Sequence, residues 1–325
     1  MNKIFENNSI IANISREIKE NKLSHGIMLV SKDEFALQQY SLEIAKMLMC
    51  ENLKEYACGE CLQCRKIEHN NHADICTFPQ SKATIATDEM LEIVNSAYIS
   101  PFESDKKVYI LNSASEMNAQ AQNKLLKTLE EPPAYLYFIL NVNNESKVLP
   151  TVKSRCRKIY LPMFNSAQME EELKDFNLES DKLKDVITFA NGSIALAKKF
   201  AEDETFENTV NFVLDLWINM THSSLMLKYA SKLYLKKNSF DDILQLFGCV
   251  IEILIWQKTG IEINTLSEKR KQQFKVLSDK FSLMALSEIN KVCILANEKL
   301  QRNCNYNITV DTFLMSFLEG KNKWQ

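Results

Sequence analysis

At 325 residues the chain is long for one hydrophobic core, and its 46% hydrophobic and 25% charged residues are ordinary for a globular protein of about two or three domains. Its 6 glycines and 6 prolines are too few for a β-sandwich or disordered tails, which leaves helices and short connections. A formal net charge of -3 excludes a molecule that is an electrostatic glove for nucleic acid as a whole, so any DNA contact must be local or shared with partners.

In chain order, MNKIFENNSIIANISREIKEN is amphipathic and charged throughout, so no signal peptide is expected, and residues 9–21 carry apolar side chains at helical spacing. HGIMLV (25–30) is an apolar run fit for a buried strand, and ALQQYSLEIAKMLMC (36–50) reads as a helix. After a cysteine-rich insertion, DICTFP (74–79) predicts a strand. TDEMLEIVNSAYIS (87–100) predicts a helix capped by Thr87, with acids in the first turn where the macrodipole favours them. KVYILN (107–112), LYFILNV (136–142) and CRKIYLP (156–162) are further strands, and NAQAQNKLLKTLEE (118–131) is a helix stopped by Pro132 and Pro133. Strands alternating with helices mean βαβ units and a parallel sheet. From about residue 165 the strands vanish, and Gly192 marks a helix stop. Beyond 205 the chain reads as helix, with Ile243, Leu246, Phe247, Val250, Ile251 and Leu254 on one broad face, as in a bundle core. The greasiest segment, CVIEILIW (249–256), is short and broken by Glu252, so no membrane span and a cytosolic protein are expected.

Nine cysteines in a reducing compartment point to metal binding or burial rather than disulfides. Cys58, Cys61 and Cys64 form C-x2-C-x2-C among Glu, Gln, Gly and Arg, and Gly59 gives the turn room. Three thiolates and one more ligand complete a tetrahedral Zn²⁺ site, and the spacing leaves the fourth open among Cys50, His69, His72 and Cys76. A site filled by four protein ligands is structural, because catalytic zinc keeps a position for water.

LSHGIMLV, CGECLQCRKIEHNNHAD, NKLLKTLEEPP and LPTVKSRC, in this order, resemble the landmarks of the delta-prime family of bacterial DNA polymerase III clamp-loader subunits, relatives of gamma/tau within the AAA+ group. The resemblance is strong over about residues 1–163 and mainly architectural in the carboxyl-terminal bundle. It implies an AAA+-like α/β parallel-sheet domain over 1–163 with a zinc module at 50–64. A small helical lid over 164–205 and an all-α collar over 206–325 would follow. It also implies Cys50, Cys58, Cys61 and Cys64 as zinc ligands, leaving His69, His72 and Cys76 outside the site.

ATP-hydrolysing relatives carry G-x-x-x-x-G-K-[ST] after the first strand, where backbone N–H groups, the lysine and the hydroxyl hold phosphates and Mg²⁺. Here the glycine positions are Ser31 and Ala36, the lysine position is Leu37 and the hydroxyl position is Gln38; Lys32 lies on the wrong side of the loop. The Asp-Glu pair expected after KVYIL is Asn112 and Ser113, and Ala195 replaces the arginine that reads nucleotide from the lid. Neutral Asn112 cannot supply the charge Mg²⁺ wants, and Ser113 is no general base, so neither ATP binding nor hydrolysis by this chain is expected. The family's Ser-Arg-Cys motif, here Ser154, Arg155 and Cys156, implies an arginine finger reaching the γ-phosphate held by a neighbouring subunit. Arginine fingers are worth roughly 10³–10⁵ in rate in other NTPases.

The implied partners are gamma/tau and delta subunits in a hetero-oligomeric ring, with a sliding clamp and primed DNA reached through the complex. Two rivals stand beside this expectation: a divergent gamma/tau-like ATPase, and an independent zinc-containing DNA-binding protein. For the latter, Lys147, Lys153, Arg155, Arg157 and Lys158 form a basic run, although without interleaved aromatics.

Overall fold

The computed structural model describes residue 5 and residues 8–79, 84–261 and 265–323. The chain divides into two compact units, the first comprising 1–164 with 193–195 and the second 165–192 with 196–325.

The first unit is built on five parallel strands, β1 (Gly26–Val30), β2 (Ile75–Phe78), β3 (Lys107–Leu111), β4 (Leu136–Val142) and β5 (Arg157–Tyr160), in the order β2-β3-β4-β1-β5. β1 pairs in register with both β4 and β5, Ile27 lying opposite Ile139 and Arg157. The helix α1 (Ser9–Lys19) precedes β1, and the helices between strands are α2 (Glu34–Met49), α3 (Leu62–Glu68), α4 (Thr87–Ala97), α5 (Ala119–Glu130) and the four-residue α6 (Pro150–Lys153). Met28, Tyr109, Phe138 and Leu140 on the strands pack with Met90, Ile93, Ala121 and Leu125 of α4 and α5 in one buried core. The expected α/β architecture with a cysteine-bearing insertion is therefore present.

One expected cap is corrected. Ala86, not Thr87, is the N-cap residue of α4, and it makes no side-chain cap bond. Thr87 Oγ1 instead lies 3.3 Å from Asn118 Oδ1, so the hydroxyl joins the loop before α5.

The second unit holds α7 (Ser166–Glu172), α8 (Ser180–Ala190), α9 (Ile194–Glu202), α10 (Phe206–Asn219), α11 (Met226–Tyr234), α12 (Phe240–Lys258), α13 (Glu268–Ser278), α14 (Leu283–Gln301) and α15 (Tyr306–Lys323), the first two residues of α9 grouping with the first unit. α8 ends on Asn191 and Gly192, both left-handed, as the sequence led one to expect. All six predicted stripe residues of α12 are buried. Trp217 lies 5.6, 5.0 and 5.1 Å from the rings of Phe247, Phe281 and Phe317, an aromatic core that binds α10, α12 and α15. Buried Arg270 on α13 pairs with Asp185 on α8 at 3.1 Å and donates to Asn211 at 2.7 Å. No helix among the described residues is long and apolar enough to cross a membrane.

Candidate functional site

Three sites named by the sequence lie in the first unit. The cysteine group begins where α2 ends: Cys50 is the C-cap residue of that helix, and Cys61 is the N-cap of α3. Between them Gly59 takes φ +73°, a left-handed conformation that a side chain would resist. Cys50, Cys58, Cys61 and Cys64 bring their sulfurs within 4.8 Å of one another. A tetrahedral zinc with ~2.3 Å Zn–S bonds requires sulfurs about 3.8 Å apart, so a small contraction closes the shell.

Backbone N–H groups already point at these sulfurs. Cys58 N donates to Cys50 Sγ at 3.3 Å, Cys61 N to Cys58 Sγ at 3.3 Å and Cys64 N to Cys61 Sγ at 3.5 Å. The Cys61 and Glu60 N–H groups hold the Cys58 thiol down at about 7, whereas burial pushes the Cys50 and Cys64 thiols up. Such a pocket is arranged for thiolates, and thiolates in turn for a metal ion. His72 lies outside the cluster: its Nδ1 accepts from Asp74 N at 3.2 Å, and it is buried beside Glu103. Cys76 is on β2, opposite Tyr109. The four cysteines can therefore hold a metal ion with no histidine.

The second site is the position of the phosphate loop. A cavity of about 80 Å³ opens at the carboxyl ends of β3 and β4, lined by Glu34, Leu37, Gln38, Asn112, Ser113, Asn141 and Asn143. Pockets for drug-sized ligands run to ~300–1,000 Å³, so this one is small. Gln38, Asn112, Asn141 and Asn143 give its wall four amides. Asn141 Nδ2 donates to Asn112 Oδ1 at 2.7 Å and to Ser41 Oγ at 3.2 Å, while Asn141 Oδ1 is buried without a partner. Leu37, at the lysine position, is 4% exposed and packed in the core, and Ala36 is fully buried.

The amino terminus of α2, where a phosphate would sit, is closed by the chain itself. Asp33 is 1% exposed and accepts from Phe35 N at 2.9 Å and Ala36 N at 3.4 Å. The same carboxylate accepts from Ile194 N at 2.7 Å and Ala195 N at 3.3 Å, in the short stretch that groups with this unit. Ser31 Oγ accepts from Asp33 N at 3.0 Å. A fixed anion thus satisfies the N–H groups that a helix N-terminus offers to phosphate.

Arg155 is the third. It follows α6 and precedes β5, at the amino-terminal end of the sheet. Pro150 at the first turn of α6 stiffens the approach. A Cβ at Gly26 would lie 3.2 Å from Arg155 O and 3.3 Å from Cys156 Sγ, so this segment packs tightly against the start of β1. Cys156 is buried, which pushes its thiol up to about 12, so it packs rather than reacts. Ser154 Oγ donates to Thr151 O at 3.0 Å. Arg155 Nη1 donates to Thr151 O at 2.8 Å, and Nη2 is ion-paired with Glu130.

The rest of the basic run is engaged within the chain. Lys147 pairs with Glu116 at 2.9 Å, Lys158 with Glu145 at 2.8 Å and Arg157 with Glu17, while Lys153 Nζ donates to Glu145 O at 3.4 Å. A row of lysines and arginines already engaged by carboxylates and, at Lys153, by a backbone carbonyl makes a poor track for a phosphate backbone.

The sequence reading overlooked Asp33, Asn141 and the Glu130 partnership. S-K-D before an apolar helix is a capping signal, and a lone Asn inside the apolar run LYFILNV is a polar group needing a reason. Nothing local could reveal Glu130 as the partner of Arg155.

A five-stranded parallel sheet in this order followed by a helical carboxyl-terminal unit is the AAA+-like α/β architecture that the resemblance implied. Residues 6–165 match the family described as DNA polymerase III, delta subunit. A DNA polymerase III delta-prime subunit of Buchnera aphidicola (Baizongia pistaciae) is 24% identical over 303 residues, covering 89% of this chain and 88% of its own. A gamma subunit of Buchnera aphidicola (Schizaphis graminum) is 29% identical over 207 residues, 62% of this chain, and the match spans only 57% of that gamma subunit. A solved gamma-subunit-related protein of Thermotoga maritima aligns over 96% of this chain and 99% of its own, at 18% identity and a TM-score of 0.44. The chain is thus similar to DNA polymerase III clamp-loader subunits, delta-prime and gamma alike.

Proposed function

We propose that the chain is a clamp-loader subunit that neither binds nor hydrolyses ATP and that lends Arg155 to ATP held by an adjacent subunit. One observation carries this: Arg155 and the chain's own phosphate-loop position lie at opposite ends of the sheet. Arg155 packs at Gly26, the first residue of β1, and the cavity opens beyond the last residues of β3 and β4. From Gly26 to Val30 the strand rises about 13 Å, at ~3.3 Å per residue. The guanidinium therefore cannot serve its own cavity, and any nucleotide it meets belongs to another chain. Asp33 in the anion position and the amides at Asn112 and Asn141 support the loss of nucleotide binding.

In this proposal Ser154 and Cys156 shape the segment that presents Arg155, and Cys50, Cys58, Cys61 and Cys64 hold a structural Zn²⁺ that ties the end of α2 to α3. Residues 164–205 act as the small lid and 206–325 as the collar. Half-exposed Met284, Ile294, Leu295, Ile308 and Met315 on α14 and α15 are apolar surface that neighbouring collar helices would cover. The partners are gamma/tau and delta subunits, and the assembled cytoplasmic complex places a sliding clamp on primed DNA.

The test is DNA-stimulated ATPase of the reconstituted ring. Arg155→Ala should slow the neighbouring site by about 10³-fold or more, with the ring still assembled by gel filtration; an unchanged rate removes the finger. The similarity to gamma subunits favours a second reading, a divergent motor. Calorimetric titration of the isolated chain separates the two, because a motor takes up ATP.

A further inference from the structure

Glu130 is the last residue of α5, where unsatisfied carbonyl groups repel a carboxylate. It is nonetheless held there, ion-paired with Arg155 Nη2, while Arg155 Nη1 donates to Thr151 O at 2.8 Å and lies 3.4 Å from Ser154 Oγ. The two side chains are 33% and 48% exposed, so the pair lies at the surface and can open. We propose that Glu130 is a resting clasp for the finger, an inference that depends on the role given to Arg155 above. The clasp neutralises the guanidinium and holds it against α6 while no phosphate is presented.

Binding to a γ-phosphate and binding to Glu130 compete. A carboxylate kept at Nη2 would face the incoming phosphate oxygens and repel them. A triphosphate carries more charge than one carboxylate and can take several guanidinium donors at once, so it displaces Glu130 only when it is seated close by. Glu130 therefore acts as a positioning residue: it sets how easily the finger is recruited and leaves the chemistry to Arg155.

The experiment compares rings containing wild-type chain, Glu130→Gln, Glu130→Asp, Arg155→Ala and the Glu130→Gln/Arg155→Ala double variant, assayed without DNA at limiting and saturating ATP. Glu130→Gln should raise the rate at limiting ATP roughly two- to fivefold, the factor an exposed ion pair is worth, with kcat held and KM lowered. Glu130→Asp should stay near wild type, and the double variant should match Arg155→Ala alone. A Glu130→Gln rate at or below wild type overturns the clasp. So does an effect that survives in the Arg155→Ala background, or Glu130→Asp behaving like Glu130→Gln. If Arg155→Ala itself leaves the rate intact, the finger fails, a distinct result.

Discussion

At the cysteine group, four sulfurs face one another and backbone N–H groups point at three of them, so the polypeptide has gathered ligand atoms and left the cation to come from outside. At the phosphate-loop position the chain has done the reverse. The N–H groups of the α2 terminus are met by Asp33, a carboxylate of its own, and Asn112, at the first of the two acidic positions, accepts from the amide of Asn141. The first arrangement presents sulfurs to a ligand, whereas in the second the helix-end N–H groups already have an acceptor within the chain. One helix thus carries a ligand-presenting group at its carboxyl end, from Cys50, and a self-capped terminus at its amino end, at Asp33.

The largest effect should come from breaking the open site. Cys61→Ser removes one sulfur ligand while leaving a hydroxyl that can still cap α3 by accepting from Cys64 N. Metal analysis should fall from about one zinc per chain to none, with residues 50–68 becoming protease-sensitive. Far-ultraviolet circular dichroism should change little, because β1, β3 and β4 draw their packing from the main core. Full zinc retention in this variant would remove Cys61 from the ligand set.

The next perturbation opens the closed site. Asp33→Ala leaves Phe35, Ala36, Ile194 and Ala195 N–H groups without their acceptor. Loss of an N-cap costs about 1 kcal/mol, up to ~2, and the second pair of bonds points to the upper end. Urea unfolding should show this loss, and Asp33→Asn should recover part of it because an amide oxygen can still cap. ATP titration of Asp33→Ala should remain flat, since Leu37 and Gln38 supply neither lysine nor hydroxyl. A variant as stable as wild type would mean that Asp33 does not close the helix end.

Much of the first unit is legible in its sequence because central parallel strands, covered on both faces, read as unbroken apolar runs. LYFILNV coincides with β4 residue for residue, and the proline pair ends α5 where it must. Short elements are harder. α6 has four residues, too few for a period, and α3 is masked by the cysteines it carries. α13 reads as polar because its sequence, EKRKQQFKVLS, buries only Arg270, Phe274 and Leu277. The buried status of Arg270 depends on Asp185, 85 residues away, and no local pattern encodes such a pair. The same holds for the candidate sites. Metal spacing and missing phosphate-loop residues are local and could be read, whereas the Asp33 bonds to Ile194 and Ala195 and the Glu130–Arg155 pair exist only once the chain has folded.

The smallest effect sharpens the account of the cysteine group before metal arrives. In the metal-free chain the N–H groups of Cys61 and Glu60 lower the Cys58 thiol to about 7, so its thiolate is present above that pH and lost below it. Near pH 7 about half of Cys58 is thiolate, against about 3% of an ordinary thiol with pKa near 8.5. A more acidic thiolate is also a weaker nucleophile, with a Brønsted slope of ~0.4–0.5, so the net gain is about threefold over a peptide cysteine. Iodoacetamide labelling followed by mass spectrometry should find Cys58 modified well before Cys64, whose thiol burial pushes up. The Cys58 rate should fall about tenfold per pH unit well below 7, and added zinc should protect both residues together. If Cys64 reacts as fast as Cys58, the N–H groups do not prepare this site for a cation, and its contrast with the anion-filled terminus of α2 loses its physical basis.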